Sequence, residues 1–283
     1  MTASVDEPVE TPEEAGADAQ SFASRAAAFG GVWRNLATGL VSLAIVLVLW
    51  WVLLWAFDVS PYVGKGPLDV FAYLFLDEDA GEHLGALGTL LGETLVDAAI
   101  GFVTGLALAI VIAALFMLSR GVEAALMPVA MLFRSVPLIA MAPVLILIFG
   151  RQGATVAAMG AIVVLFPALV TIVTGLRSAS KAMTDVVTVY GGGTWKQLRL
   201  VAFPSSLPSF FAAVRISIPG AITGALLAEW LATGRGLGYG IVSAIGRARI
   251  SEVWADVVAI TLVSIVLYNL ALVVETAVLK RRS

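Results

Sequence analysis

Long apolar runs, divided by short polar stretches, make up most of this chain. Crossing the roughly 30 Å hydrocarbon core of a bilayer takes about 20 apolar residues in a helix. Six runs approach or exceed that length: Gly39–Phe57, Leu90–Leu118, Leu126–Phe149, Ala154–Thr174, Phe210–Leu231 and Val257–Leu279. In lipid, a helix satisfies every backbone N–H and C=O within one segment. The pattern predicts an all-α, polytopic membrane protein of six transmembrane helices, with both termini on the same side.

Two residue types interrupt these runs. Pro137, Pro143, Pro167 and Pro219 are expected to bend their helices or free backbone carbonyls. Such breaks persist in a bilayer only where protein or a cavity covers them, which points to the third, fourth and fifth spans as the functional centre. Gly101 and Gly105 are four apart, as are Gly220 and Gly224, a spacing that lets helix backbones approach closely in lipid. These glycines serve either packing within the chain or the seam of a dimer.

Composition supports a lipid environment. Charged residues are 13% of the 283, against about 25% in soluble domains. The chain has no cysteine and a single histidine, His83, which excludes a disulfide framework, a thiol nucleophile and a Cys- or multi-His metal site. No serine has a histidine base beside it, so the chain is not read as an enzyme. Nor does it read as a nucleic-acid binder.

The net charge of -3 comes largely from Asp6, Glu7, Glu10, Glu13, Glu14 and Asp18. Residues 1–35 read as an acidic disordered cytoplasmic tail, without the basic start and apolar middle of a cleaved signal. Residues 36–283 form the membrane domain. Arg120, Arg177, Lys181, Lys196, Arg199, Lys280 and Arg281 lie on the face of the termini, with Arg25 and Arg34. The other face carries Lys65, Arg151, Arg235, Arg247 and Arg249, and its first loop is acidic. The excess of basic residues places both termini in the cytoplasm.

The most informative polar stretch lies within 176–209, between the fourth and fifth spans. It reads Asp185-Val-Val-Thr-Val-Tyr-Gly191-Gly-Gly-Thr-Trp195-Lys-Gln-Leu-Arg199-Leu-Val-Ala-Phe-Pro204. Gly191, Gly192 and Gly193 break one short helix and permit a tight turn. Thr194 begins a second helix and, with Gln197, forms a capping-box pattern. Trp195, Leu198, Val201 and Ala202 recur at helical spacing as an apolar stripe, with Lys196 and Arg199 off it. Pro204 and Pro208 are expected to stop this helix. On these residues alone, the element is either a docking helix or an amphipathic helix resting on lipid headgroups.

This loop resembles the EAA motif of the permeases of binding-protein-dependent ABC importers. Asp185 takes the acidic position, Gly191 the glycine, Trp195 and Arg199 the aromatic and basic positions, and Pro204 the closing proline. Asp185 stands where glutamate is usual, Val186 and Val187 where two alanines are usual, and Phe203 where leucine is usual. Arg134-Ser-Val-Pro137 through Pro143, followed by Ile148-Phe149-Gly150, is similar to the third span of the nitrate/sulfonate/taurine subgroup. So are Ala228-Glu229 with Gly236-Leu-Gly238-Tyr239, and the segment from Val63 to Val70.

The resemblance implies a type I importer permease in the bacterial cell membrane, moving a small solute such as a sulfonate or nitrate by alternating access. Its partners would be a cytoplasmic ABC ATPase subunit carrying ATP and Mg, an extracytoplasmic solute-binding protein, and a second permease copy or homologue. Loop 176–209 would be the coupling segment, with Asp185, Gly191, Gly192, Thr194, Trp195, Leu198, Arg199 and Pro204 engaging the ATPase. In this reading the stripe docks by removing apolar area from water. Arg134, Pro137, Pro143, Glu229 and Tyr239 are the candidate translocation residues.

Other candidates are weaker. Gly64-Lys65 lacks the upstream glycine of a phosphate loop. The alternating glycines from Gly234 to Gly240 have no preceding strand and read as a tight turn. Arg134, Arg215 and Glu229 lie in or near spans, where an ionisable group is either functional or a structural ion pair. An ion-coupled secondary transporter or a channel is the alternative function. It would draw on Glu93, Asp97 and Glu229 as acids within spans.

Overall fold

The computed structural model describes Gly39 and residues 41–281, and the tail expected over 1–35 lies outside the described residues. Every regular element among the described residues is helical. Residues up to Pro67 and residues from Leu68 form two compact units.

In the first unit, the leading apolar run becomes α1 (Val41–Ala56), an apolar helix short of a full crossing length. Beyond it, Ser60 O accepts from the N–H groups of Val63 and Gly64, both at 2.9 Å, closing a turn back toward α1. A Cβ on Gly64 would lie 2.7 Å from the side chains of Leu54 and Val59, so this return requires glycine.

The second unit opens within α2 (Pro67–Phe75) and begins its long elements with α3 (Ala80–Leu118). Then come α4 (Arg120–Ser135), α5 (Leu138–Phe149) and α6 (Gly153–Arg177). Two surface helices, α7 (Lys181–Val189) and α8 (Thr194–Gln197), lead through a wide turn to α9 (Phe203–Ser205). The chain continues into α10 (Leu207–Ala228), α11 (Gly236–Gly246) and α12 (Ile250–Lys280).

Among the described residues, four helices are long and apolar enough to cross a membrane: α3, α6, α10 with its extension to Thr233, and α12. Counting α4 and α5 as one broken span makes five. The single third span expected over Leu126–Phe149 is therefore corrected: α4 and α5 meet at a 107° bend. Proline disfavours helical geometry in the residue before it, and Val136 is accordingly extended at ψ 124. Pro128, Pro143, Pro167 and Pro219 sit inside continuous helices, so among the span prolines only Pro137 stands at a break.

Half of the spanning window of α6 is buried, against 6% of that of α12, so α6 is the axis of the bundle. Its contact with α3 and α10 is made through glycine. A Cβ on Gly160 would lie 2.5 Å from the Cα of Gly101, and one on Gly224 would lie 2.9 Å from the Cα of Gly160. Gly105 sits equally close to Val164, and Gly220 faces Val163. Both glycine pairs thus serve packing within the chain. Lipid tails are as apolar as leucine, so close van der Waals contact holds such helices together.

These pairings also set directions. Gly101 and Gly105 meet Gly160 and Val164 in order, so α3 and α6 run parallel, while α10 opposes them. Arg215 of α10 pairs with Glu275 of α12 at 3.0 Å, and its guanidinium carbon lies 5.8 Å from the Tyr268 ring centre. Arg215 is thus a structural ion-pair residue joining two helices. The C-terminal ends of α3 and α6 and the start of α10 share one end of the unit, where α7 and α8 lie.

Candidate functional site

The surface pair α7–α8 is built by its glycines. Gly191 has φ +74°, a conformation that side chains rarely adopt. Its N–H donates to Thr188 O at 2.9 Å, and the N–H of Gly192 donates to Val187 O at 2.8 Å. A Cβ on Gly192 would lie 2.4 Å from Val187 Cγ1, so the turn is closed against α7. Gln197 Nε2 donates to Thr188 Oγ1 at 2.8 Å and ties the second helix to the first.

Three local expectations are corrected here. The capping box does not form: Gly193 occupies the cap position, and Gln197 reaches across to α7 instead. Pro204 does not stop the helix. The turn over Leu198–Ala202 widens to the five-residue spacing, with Phe203 N–H donating to Leu198 O, and Pro204 enters α9 within this wider path. A proline has no N–H to give, and a local widening accommodates it. Pro208 lies in the first turn of α10, where a missing N–H leaves no bond unmade.

The third correction concerns the apolar stripe. Leu198, Val201 and Ala202 are buried, and Leu198 and Ala202 join the core that contains Phe116 and Leu176. These three residues anchor the helix pair to its own bundle, while Trp195 of the same stripe stays exposed. The exposed apolar side chains of the pair are Met183, Val186 and Val189 on α7, Tyr190 at the tip, and Trp195. Met183, Val186 and Tyr190 recur at three and four residues, which places them on one face. Tyr190 is 85% exposed. Asp185 is exposed on the same helix and makes no ion pair among the described residues.

Beside α8 lies a cavity of about 860 Å³, lined by Met117, Arg120, Glu123, Met127, Arg177 and Thr194 among others. Arg177 pairs with Glu123 across it, linking the end of α6 to α4.

The translocation candidates separate. Arg134 lies in α4, Pro137 at the bend, and Pro143 within α5. Ala142 and Leu145 of α5 pack with Met159 of α6 and Ala228, so α5 reaches the neighbourhood of Glu229. Tyr239 is partly exposed on α11.

Glu229 is fully buried and belongs to a hydrogen-bonded clamp. Its Oε2 accepts from Thr94 Oγ1 at 2.9 Å and from Gly238 N–H at 2.8 Å. Thr94 Oγ1 accepts from Leu237 N–H at 2.8 Å, and Glu93 Oε2 accepts from Gly236 N–H at 2.8 Å. Arg235 pairs with Asp97 at 3.1 Å. Three successive N–H groups at the start of α11 thus meet Glu93, Thr94 and Glu229. Acceptors and negative charge are favoured at a helix N-terminus.

The glycines make the clamp possible. Gly234 and Gly236 have φ +68° and +77°, and a Cβ on Gly236 would lie 2.3 Å from Glu229 Cδ. The tight turn expected over Gly234–Gly240 is corrected: it is confined to Gly234 and Arg235, and Gly236 already opens α11. Glu93, Asp97 and Glu229 were visible in the sequence as acids within spans, but their meeting with this segment was not. Thr94 had no signal of its own. The spacing Glu93-Thr94-Asp97, which gathers three polar groups along one stretch of α3, was the available clue.

A bundle of apolar helices with a surface helix pair folded against one end defines a polytopic membrane protein. Residues 101–283 match the family described as binding-protein-dependent transport system inner membrane component. The chain belongs to that family, and it is the permease of an ABC importer. A probable ABC transporter permease protein of Haemophilus influenzae is 27% identical over 81% of this chain and 91% of its own length. The formylaminopyrimidine transport permease protein ThiX of Halalkalibacterium halodurans is 32% identical over 64% of this chain and 70% of its own. The putative aliphatic sulfonates transport permease protein SsuC of Bacillus subtilis is 27% identical over 87% of each chain.

Proposed function

We propose that this permease moves a small solute by alternating access, driven by a separate ATPase that docks on α7 and the Tyr190 tip. One observation carries the reading: Met183, Val186 and Tyr190 lie exposed on one face while Leu198 and Ala202, after α8, are buried in the chain's own core. Covering that face stabilises a complex by roughly 25 cal/mol per Å² of apolar area. Asp185, unpaired among the described residues, supplies a charge for a basic group on the partner. Gly191, Gly192, Thr194 and Arg199 hold or flank the turn. Leu198 anchors the pair to α3 and α6, so motion of α7 reaches the bundle, and Pro204 sits where α8 hands over to α10.

ATP and Mg act on the partner. Moving an inward-open cavity fully to an outward-open one takes a differential of about 5.5 kcal/mol between the states, which closure of two ATPases around ATP supplies. A second permease copy and an external binding protein complete the assembly. The basic-residue distribution supports a cytoplasmic position for α7–α8 and both termini. The names of the relatives favour a small polar organic solute such as a sulfonate.

Mild-detergent purification of the tagged chain from its native membrane tests this reading. A stoichiometric ATPase is expected with it. A chain that reproducibly purifies alone favours the ion-coupled or channel alternative, with Glu93, Asp97 and Glu229 as its acids.

A further inference from the structure

Behind the exposed edge of α8 lies a small groove of about 210 Å³. Its walls are Ile110 and Ala114 of α3, Ile172 and Leu176 of α6, and Phe203 and Phe210 beyond the wide turn. Trp195 and Arg199 also line it, and both are exposed, which puts them at its open rim. The groove is apolar within and cationic at the mouth, and it lies between the ends of two membrane-crossing helices.

The charge at this mouth is one-sided. Between Asp185 and Glu229 the sequence contains no acidic residue, while it contains Lys196, Arg199 and Arg215. Arg215 is engaged by Glu275. No ion pair among the described residues engages Lys196 or Arg199. A tryptophan and an arginine at the end of spanning helices suit the headgroup level of a bilayer, where an amphipathic ring and a long cation both find partners. Basic pockets between spanning helices take anionic lipid headgroups.

We propose that this groove holds one anionic phospholipid, its acyl chain between α3 and α6 and its phosphate on Arg199, with Lys196 adding charge. An anionic lipid accounts for both features together, since a soluble anion leaves the apolar walls uncovered and a zwitterionic lipid brings its own cation against Lys196 and Arg199. The site uses the face of the helix pair opposite in character to the α7 docking face. It depends on the membrane placement of the chain and not on the identity of any partner.

Native mass spectrometry of the full chain in mild detergent tests this. The probes are phosphatidylglycerol, phosphatidylcholine of the same acyl chains, and glycerol 3-phosphate. Retention of phosphatidylglycerol is expected to exceed that of phosphatidylcholine by about five-fold, the preference one basic side chain near an anionic surface confers. Arg199→Gln removes the preference and Arg199→Lys restores most of it. Glycerol 3-phosphate at millimolar concentration leaves the bound lipid in place. Equal retention of the two lipids overturns the proposal, as does an unchanged preference in Arg199→Gln. Displacement by glycerol 3-phosphate overturns it too, because the groove then contributes nothing.

Discussion

The double substitution Val186→Asp and Tyr190→Asp is expected to weaken binding of the ATPase at least about 100-fold, while the chain still inserts and folds. Neither side chain is part of the bundle core: Val186 is more than half exposed and Tyr190 is 85% exposed. Their replacement therefore leaves the packing of α3, α6 and α8 intact. A hot-spot residue at the centre of an interface contributes about 2 kcal/mol or more, and two such losses exceed the roughly 2.7 kcal/mol of a 100-fold change. Burying two uncompensated carboxylates adds to the cost. Titration of purified ATPase against the reconstituted permease measures the effect, and size-exclusion profiles of the variant check its folding. Trp195→Asp is a useful companion. Trp195 lies on the groove rim, so this substitution is expected to act less on ATPase affinity than the double substitution does.

The largest effect on stability is expected at the start of α11. Glu229→Ala leaves Thr94 Oγ1 and Gly238 N–H without the carboxylate oxygen that now accepts from both. A buried group stripped of its partner costs about 1–3 kcal/mol, so the pair lose about 3 kcal/mol or more. Gly236→Ala attacks the same contact from the other side. Its Cβ would sit 2.3 Å from Glu229 Cδ, at a residue with φ +77° where alanine is strained. Both variants are expected to lower the thermal midpoint in detergent by about 6–12 °C, using the scaling of folded domains of this size. Glu229→Gln keeps the shape and one carbonyl acceptor and is expected to lose less than Glu229→Ala. A midpoint for Glu229→Ala within a degree of the parent shows that the clamp holds nothing.

Most of the architecture follows from hydrophobic run length, because lipid permits little besides helices. The extent of α6 follows its apolar run closely, α12 begins seven residues ahead of its run, at Ile250 rather than Val257, and Pro137 was a visible break. The sharpness of that break was not visible, since a kinked helix and two helices at 107° share one composition. The helix pair was legible through Gly191–Gly193, which admit the turn that side chains oppose. Which of its two faces is free was not legible. Periodicity marks a stripe as apolar without saying whether it meets its own chain or another. Trp195 and Leu198 look alike in that pattern, yet Leu198 is 7% exposed and Trp195 61%. The clamp failed for a related reason: Thr94 and Gly238 are 144 residues apart, and no local rule connects them.

The central claim is that α7 and Tyr190, and not the α8 stripe, meet the ATPase. A photo-crosslinking residue placed at Tyr190 and, separately, at Leu200 in the native membrane tests it most directly, with mass spectrometry of the adducts. Position 190 is expected to yield a nucleotide-binding subunit as its main adduct, and position 200, on the wide turn, is not. Adducts with that subunit from position 200 alone, or from neither position, would contradict it.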